Sequence, residues 1–401
     1  MMGFKFVLLW TDAALWALLA ALLAYGSRIR SQPSLRATWL RVLRDPVALS
    51  AGAVLALFLA VTMLDSVHYR LALGDTAAGQ ATQYDPRTDS LLDALLARQI
   101  EMRETSYSRP LDYRGFSKES VSGEGGAGAG GGSDAQPRRD YPRLQFGGAH
   151  LADPARQWRA DLVRRALTGL AGGLLAALLI AGLMALSLAR SHGGAARALR
   201  DLLRDRTHYP LRAVLATLAA TALLAGPVIA LMGHYHVFGT DRTGNDVLYQ
   251  ALKSVRTAFV IGALSTLATL PLALALGVLA GYFKGWVDET IQYLYTLLTS
   301  VPNVLLIAAC VLMVQVFLDK NPDFFETGAE RSDLKMFLLC VVLGLTGWAT
   351  LCRLVRGETL KLRELDYVQA ASAFGVSHLR IMVRHIFPNV AHLMLIVTVL
   401  E

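Results

Sequence analysis

Two places in this 401-residue chain hold side chains that could do chemistry. His234 and His236, two apart, could offer imidazoles to a metal, but without further ligands at a matching spacing the pair reads as solvated loop. Cys310, Cys340 and Cys352 fall in or at the ends of apolar spans with no metal-type spacing, and read as small core residues. No span carries paired carboxylates, a His-Glu-x-x-His helix or a Ser-His constellation. The glycine-rich tract 123–133 is closed by no Gly-Lys-Ser/Thr, so it reads as a flexible linker and not as a phosphate cradle. Neither a catalytic centre nor a metal site is expected. The remaining place is a polar stretch, Glu364 to Asn389, caught between two hydrophobic segments and too charged to cross a bilayer.

Its first half, Thr359 to Phe374, has good helix formers, and Gly375 sits where a left-handed residue would end a helix. Ser377 can cap a second helix, with Leu379, Ile381, Met382 and Ile386 on one side and Arg380, Arg384 and His385 on the other, until Pro388 stops it or opens the next element. Ala370, Ala371 and Phe374 form a small apolar face on the first helix, shaped for close approach by another surface. Without further information, such a segment is an amphipathic loop resting on lipid headgroups.

The residue order points elsewhere. Asp366, Tyr367, Gln369, Ala370, Ala371, then Gly375, then Phe387, Pro388 and Asn389 resemble the cytoplasmic Glu-Ala-Ala loop of ABC importer permeases, in the dipeptide, oligopeptide and nickel branch. The resemblance implies that 359–389 is a coupling loop docking on an ATP-hydrolysing subunit, with Gln369 standing where the motif has Glu. Gly239, Thr240, Asp241, Gly244 and Asp246 are similar to the family's outer Gly-Thr-Asp-x-x-Gly-Arg-Asp segment, with Asn245 in place of Arg. Arg41 to Leu49 and the turn Gly281 to Asp288 resemble the same branch.

The elements that must position these motifs follow from composition. At 54% hydrophobic content the chain is too apolar for an ordinary soluble domain, and is expected to be an all-α polytopic membrane protein. The net charge of +8 lies in arginines flanking apolar spans, so it reads as topology and excludes a nucleic-acid stripe. The expected spans are Phe6–Tyr25, Pro46–Leu64, Leu167–Leu188, Leu211–Met232, Ala258–Phe283, Ile291–Leu318 and Met336–Cys352. Basic loops after the first and third, and before the coupling loop, place those segments inside. Pro271 is expected to kink its span, Gly277 and Gly281 to permit close helix packing, and Pro302 and Asn303 either to line the translocation pathway or to form a packing kink.

Between the spans, Ser90 and Asp93 should cap a surface helix over Leu91–Arg103, and Thr243 with Asp246 an interfacial helix over Val247–Arg256. Asp319 to Lys335 reads as an acidic outer loop. From Val390 to Glu401 runs about 18 Å of helix against a ~30 Å hydrocarbon core, so the family's layout reads here as C-terminally truncated.

The organisation that results is an anchor helix and basic loop over 1–45, a span over 46–64, a periplasmic insertion over 65–166, an inserted helical pair over 167–232 and a permease core over 233–401. By resemblance this is a type I-like ABC importer permease bundle in the bacterial inner membrane, moving peptides or similar small solutes. The resemblance also implies ABC ATPase subunits that carry ATP-Mg, a homologous second permease, a periplasmic substrate-binding protein and lipid as partners, with no cofactor on this chain and no nucleic acid. The rival reading is a non-transporting membrane anchor or assembly protein that holds a partner through 65–165.

Overall fold

The computed structural model describes residues 4–73, 83–120, 139–322 and 325–390. The glycine-rich tract and the apolar run beyond Val390 lie outside the described residues. In chain order, β1 (Phe4–Val7) leads into α1 (Trp10–Ser31), α2 (Pro33–Val42) and α3 (Pro46–Asp65). The polar stretch holds β2 (His68–Leu71), β3 (Asp89–Ser90), α4 (Leu91–Leu95), α5 (Ala97–Glu101), β4 (Glu119–Ser120) and β5 (Arg139–Asp140). Then come α6 (Pro154–His192), α7 (Ala195–Leu203), α8 (Leu211–Leu231), α9 (Val247–Phe283), α10 (Gly285–Ser300), α11 (Asn303–Lys320), α12 (Gly328–Arg363), α13 (Asp366–Ala373) and α14 (His378–Ile381), which continues into a π-helical turn, Met382–Ile386.

Among the described residues, seven helices are long and apolar enough to cross a membrane: α1, α3, α6, α8, α9, α11 and α12. Each expected span has its helix, with four changes of boundary. The interfacial helix at Val247 and the span after it are one helix, because no proline interrupts the chain before Pro271. Ile291–Leu318 is two helices: Pro302 has no N–H to donate and holds Val301 extended, at φ −91° and ψ 132°. The acidic loop shrinks, since α11 runs to Lys320 and Thr327 caps α12 by accepting the Glu330 N–H. Ser90 and Asp93 do form a capping box, but the helix breaks at Leu96, whose side chain turns into the core.

The chain divides into two compact units. The first holds the described residues up to Leu18, His68–Thr88 and those from Thr257 onward. In it, β1 pairs antiparallel with β2, Phe4 opposite Leu71 and Val7 opposite His68. Asp12 and His68 meet at 2.7 Å with Asp12 wholly buried, and the Thr11 N–H donates to Asp333 at 3.0 Å, so the acids at these helix ends are matched by donors. Gly277 and Gly281 bring α9 against α12: a Cβ on Gly277 would stand 2.7 Å from Val355, and one on Gly281 2.6 Å from Thr359. Gly344 approaches Ala268 in the same way.

The second unit holds Leu19–Val67 and Asp89–Arg256. Here α6 and α8 lie backbone to backbone, and a Cβ on Gly169 would meet the Gly226 carbonyl oxygen at 2.5 Å. Lipid tails give apolar helices no hydrophobic reason to associate, so this close approach supplies the attraction. Substituting Gly169→Ile should part the pair at a cost of about 1–3 kcal/mol. A lower thermal unfolding midpoint of the purified protein is the expected readout; an unchanged midpoint would show that the contact contributes nothing.

Candidate functional site

The outer motif folds as a tight loop at the head of α9. Gly239 and Gly244 take left-handed backbone angles, φ +77° and +79°. A Cβ on Gly244 would come within 1.8 Å of the Glu104 carbonyl oxygen, and one on Gly239 within 2.4 Å of that of Ser108, so only glycine fits at either position. Thr240 donates its hydroxyl to the Ser106 carbonyl at 2.8 Å. The Asp241 carboxylate gathers the N–H groups of Thr243 and Asn245, the Thr243 hydroxyl and the Gln250 amide. Burial opposes its charge, but these donors outweigh it and hold the carboxyl well below its ordinary range.

The box anticipated between Thr243 and Asp246 does not form. Thr243 is engaged with Asp241, and Asp246 itself caps α9, accepting the N–H groups of Leu248 at 2.8 Å and Tyr249 at 3.2 Å. Its other oxygen lies 2.8 Å from His236 Nδ1, whose Nε2 is 3.3 Å from Glu104. His236 is therefore wholly buried between two carboxylates, not solvated as its spacing suggested. Glu104 also accepts the N–H groups of Gln145, Phe146 and Gly147, which ties the insertion to the motif loop through one acid. No local pattern marks Glu104; its only trace in the sequence is the pair of glycines that lets its segment approach.

The second site is built where the ends of α9, α10 and α12 meet the two-helix loop 359–389. The first helix of that loop does not run through from Thr359. α12 ends at Arg363 and α13 starts at Asp366, whose carboxylate suits the positive helix end. Val368 is buried, while Tyr367, Gln369, Ala370 and Phe374 face outward, Phe374 at 87% exposure. Gly375, at φ +75°, closes α13 as expected. Its N–H donates to the Ser372 carbonyl and that of Val376 to the Ala371 carbonyl, a paired C-terminal cap in which Val376 and Ala371 both pack on the core.

The second helix buries Ile381, Met382 and Ile386 against Tyr282, Ile291, Cys352 and Val355. Leu379, expected with them, points outward with Val383 and Phe387, because the π turn shifts the helical register. Pro388 does not stop the helix. The Phe387 N–H bonds back to Met382, five residues away, and helical backbone continues through Pro388 to Val390. Asn389 donates to the His385 carbonyl at 2.6 Å and to the Tyr367 hydroxyl at 3.2 Å, joining the two ends of the loop.

Polar links tie the loop to the bundle. Arg363 donates to the Tyr282 carbonyl at 2.6 Å, and the Tyr282 hydroxyl lies 2.7 Å from His378 Nδ1. Arg356 grips Asp288 through both nitrogens, one at 2.7 Å, and holds that carboxyl below its ordinary range. Lys284 reaches Glu364 at 2.9 Å on the surface and lowers its carboxyl. Gln369 donates its amide to the Glu364 carbonyl at 3.1 Å. Tyr282, Arg363, Glu364, Gln369, Ser372 and His378 line a cleft of about 500 Å³. Pro302 and Asn303 are exposed at the break between α10 and α11. Among the described residues no group of three or more His, Cys, Asp or Glu could hold a metal.

The family of binding-protein-dependent transport system inner membrane components matches residues 273–401, which includes all of 359–389. Over 210 residues the chain is 31% identical to the oligopeptide transport system permease protein OppC of Mycobacterium tuberculosis, covering 49% of this chain and 67% of that protein. It is 34% identical over 151 residues to the inner membrane ABC transporter permease protein YejE of Escherichia coli, covering 38% and 39% of the two chains. To the glutathione transport system permease protein GsiD of Pectobacterium atrosepticum it is 29% identical over 154 residues, covering 38% and 45%.

The buried His236 makes this site pH-sensitive in a defined direction. Burial disfavours the imidazolium, but Asp246 and then Glu104 outweigh it and push the pKa up to about 9. A raised histidine pKa stabilises the fold fully below the unfolded value of about 6.5, and that contribution is lost as pH rises through about 9. The unfolding midpoint should therefore fall from pH ~7 to ~10 more steeply in the unaltered protein than in His236→Gln. Equal slopes would show that the imidazolium is not held.

Proposed function

Because the chain belongs to the family of binding-protein-dependent transport system inner membrane components, we propose that it is the membrane-spanning permease subunit of an ATP-driven importer of peptides or similar small solutes. The observation that carries the reading is the two-helix loop, which buries Val368, Ile381 and Ile386 on the bundle and turns Ala370, Phe374, Leu379 and Val383 outward. An apolar face left open on a polar loop is an interaction surface. Its partner in this reading is an ABC ATPase subunit that binds ATP-Mg, since this chain has no phosphate-cradling loop of its own. The names of the relatives are those of permeases, which favours transport over a passive anchor.

Force applied to the loop has a short path into the bundle. A push on α13 and α14 reaches α9 through Arg363 and His378 on Tyr282, and the α12 contact at Arg356 carries it to α10 at Asp288. α12 is 36 residues long, about 54 Å at 1.5 Å per residue, so displacement at its inner end reaches the outer side as a rigid-body movement. The protein then needs a two-state element that both ATP and the loaded periplasmic binding protein bias. A homologous second permease completes the pathway, with Pro302 and Asn303 offered to it by the break between α10 and α11.

Gly375→Arg tests the coupling assignment. Nothing stands within 4 Å of where its Cβ would be, but the left-handed backbone strains any side chain there and a bulky cation would sit on the docking face. Co-purification with the ATPase should fall to background while the permease still folds and inserts. Full retention of the ATPase by that variant would falsify the docking role of the loop.

A further inference from the structure

A cavity of about 250 Å³ in the second unit is lined by two opposite charges that do not pair. Arg98 and Glu101 stand three apart on α5, a spacing at which side chains are neighbours. Among the described residues, neither makes an ion pair with the other or with any third group. Gly233 draws Arg98 aside. Its backbone is left-handed, φ +98°, and its missing side chain leaves room for the arginine: a Cβ there would stand 3.2 Å from both Cδ and Nε of Arg98. Met102, Phe146 and Ala149 supply the apolar part of the lining, and His150 and His234 complete it.

The walls are fixed before anything enters. The Gly148 N–H donates to the His234 carbonyl at 2.9 Å, and Arg143 donates to the carbonyls of Gly148 and Leu151 at 3.3 and 2.7 Å. His150 Nε2 lies 2.7 Å from Asp161, which also accepts the Tyr235 hydroxyl at 2.9 Å. Burial, and after it the charges of Arg165 and Arg98, push His234 below the ordinary imidazole range, so its ring adds no charge at neutral pH. The charges left without a partner are one guanidinium and one carboxylate. A simple anion would meet the carboxylate and a simple amine the guanidinium, whereas a molecule carrying both charges satisfies both.

We propose that this cavity binds a small zwitterion, its carboxylate on Arg98 and its ammonium on Glu101, with an apolar substituent against Met102, Phe146 and Ala149. At about 30 Å³ per water the space holds roughly eight waters, the bulk of a free amino acid or of the shortest peptide. An occupant touches three segments that meet again in the loop heading α9. Met102 lies just before Glu104, the Phe146 N–H donates to Glu104, and His234 lies just before His236, the partner of Glu104. Filling the cavity therefore tightens that junction. The proposal stands on residues outside 273–401 and is independent of whether the chain transports.

Calorimetric titration of the full chain in detergent tests this. The probes are leucine and dialanine as zwitterions, isocaproate as leucine without its ammonium, and isoamylamine as leucine without its carboxylate. Saturable binding of leucine or dialanine is expected, and the tighter of the two identifies the source as amino acid or peptide. Each leucine analogue should bind at least about tenfold more weakly, the loss of one charged hydrogen bond. Arg98→Gln should lose the preference for leucine over isoamylamine, and Glu101→Gln the preference over isocaproate. Both side chains are exposed, so neither substitution should move the ligand-free unfolding midpoint. In the unaltered chain the bound zwitterion should raise that midpoint. No binding of either zwitterion at millimolar concentration overturns the proposal. So does isocaproate or isoamylamine binding as tightly as leucine, which leaves a site for a single charge, and so do variants that keep both preferences.

Discussion

The core of this protein depends on how closely α9 approaches α12. Gly277 faces Val355 and Gly281 faces Thr359 at distances that admit no side chain on the α9 side, and Gly344 repeats the arrangement against Ala268. In a bilayer, where apolar helices gain little by leaving lipid, dispersion across such a seam is what makes two spans one body. The ion pair of Arg356 with Asp288 and the Arg363 bond to the Tyr282 carbonyl lie toward the inner end of that seam. The two-helix loop of α13 and α14 therefore rests on a joint already fixed by packing.

The outer motif is held by a different economy of interactions. Its loop is short, polar and turned by two left-handed glycines, and by itself it would have little to keep it in one shape. The insertion supplies the missing support. Glu104 collects the backbone N–H groups of Gln145, Phe146 and Gly147, some forty residues further along the chain, and, through His236, the cap of α9. A buried imidazolium between two carboxylates is strongly destabilising once one partner is removed, so the three residues act as a unit. Residues 104 and 145–147 thus hold the loop at the head of α9 in one shape.

How much was legible in the sequence follows from the range of the interactions. Apolar spans, the Ser90 cap, the left-handed Gly375 and the small-residue seam are local patterns, and the structure reproduces them. Glu104 and His236 lie 132 positions apart, and no spacing rule connects them. The single helix from Val247 and the split at Pro302 depend on propagation and on one missing N–H, where polarity suggested a boundary in the first case and a continuous span in the second. Leu379 was assigned to the wrong side because a 3.6-residue period was carried through a turn that does not obey it.

That turn, Met382–Ile386, amounts to one surplus residue inside a helix. An added residue advances the following side chains by about 100° around the axis, since 3.6 residues complete a revolution. Residues 387–390 are out of phase with what precedes the turn, so Leu379 and Phe387 can share an outward direction while Ile381 and Ile386 share an inward one. Such a surplus can be absorbed or released by sliding a single hydrogen-bond partner, without breaking the helix. The junction between α14 and residues 387–390 thereby has a built-in vernier, able to rotate one against the other in a discrete step.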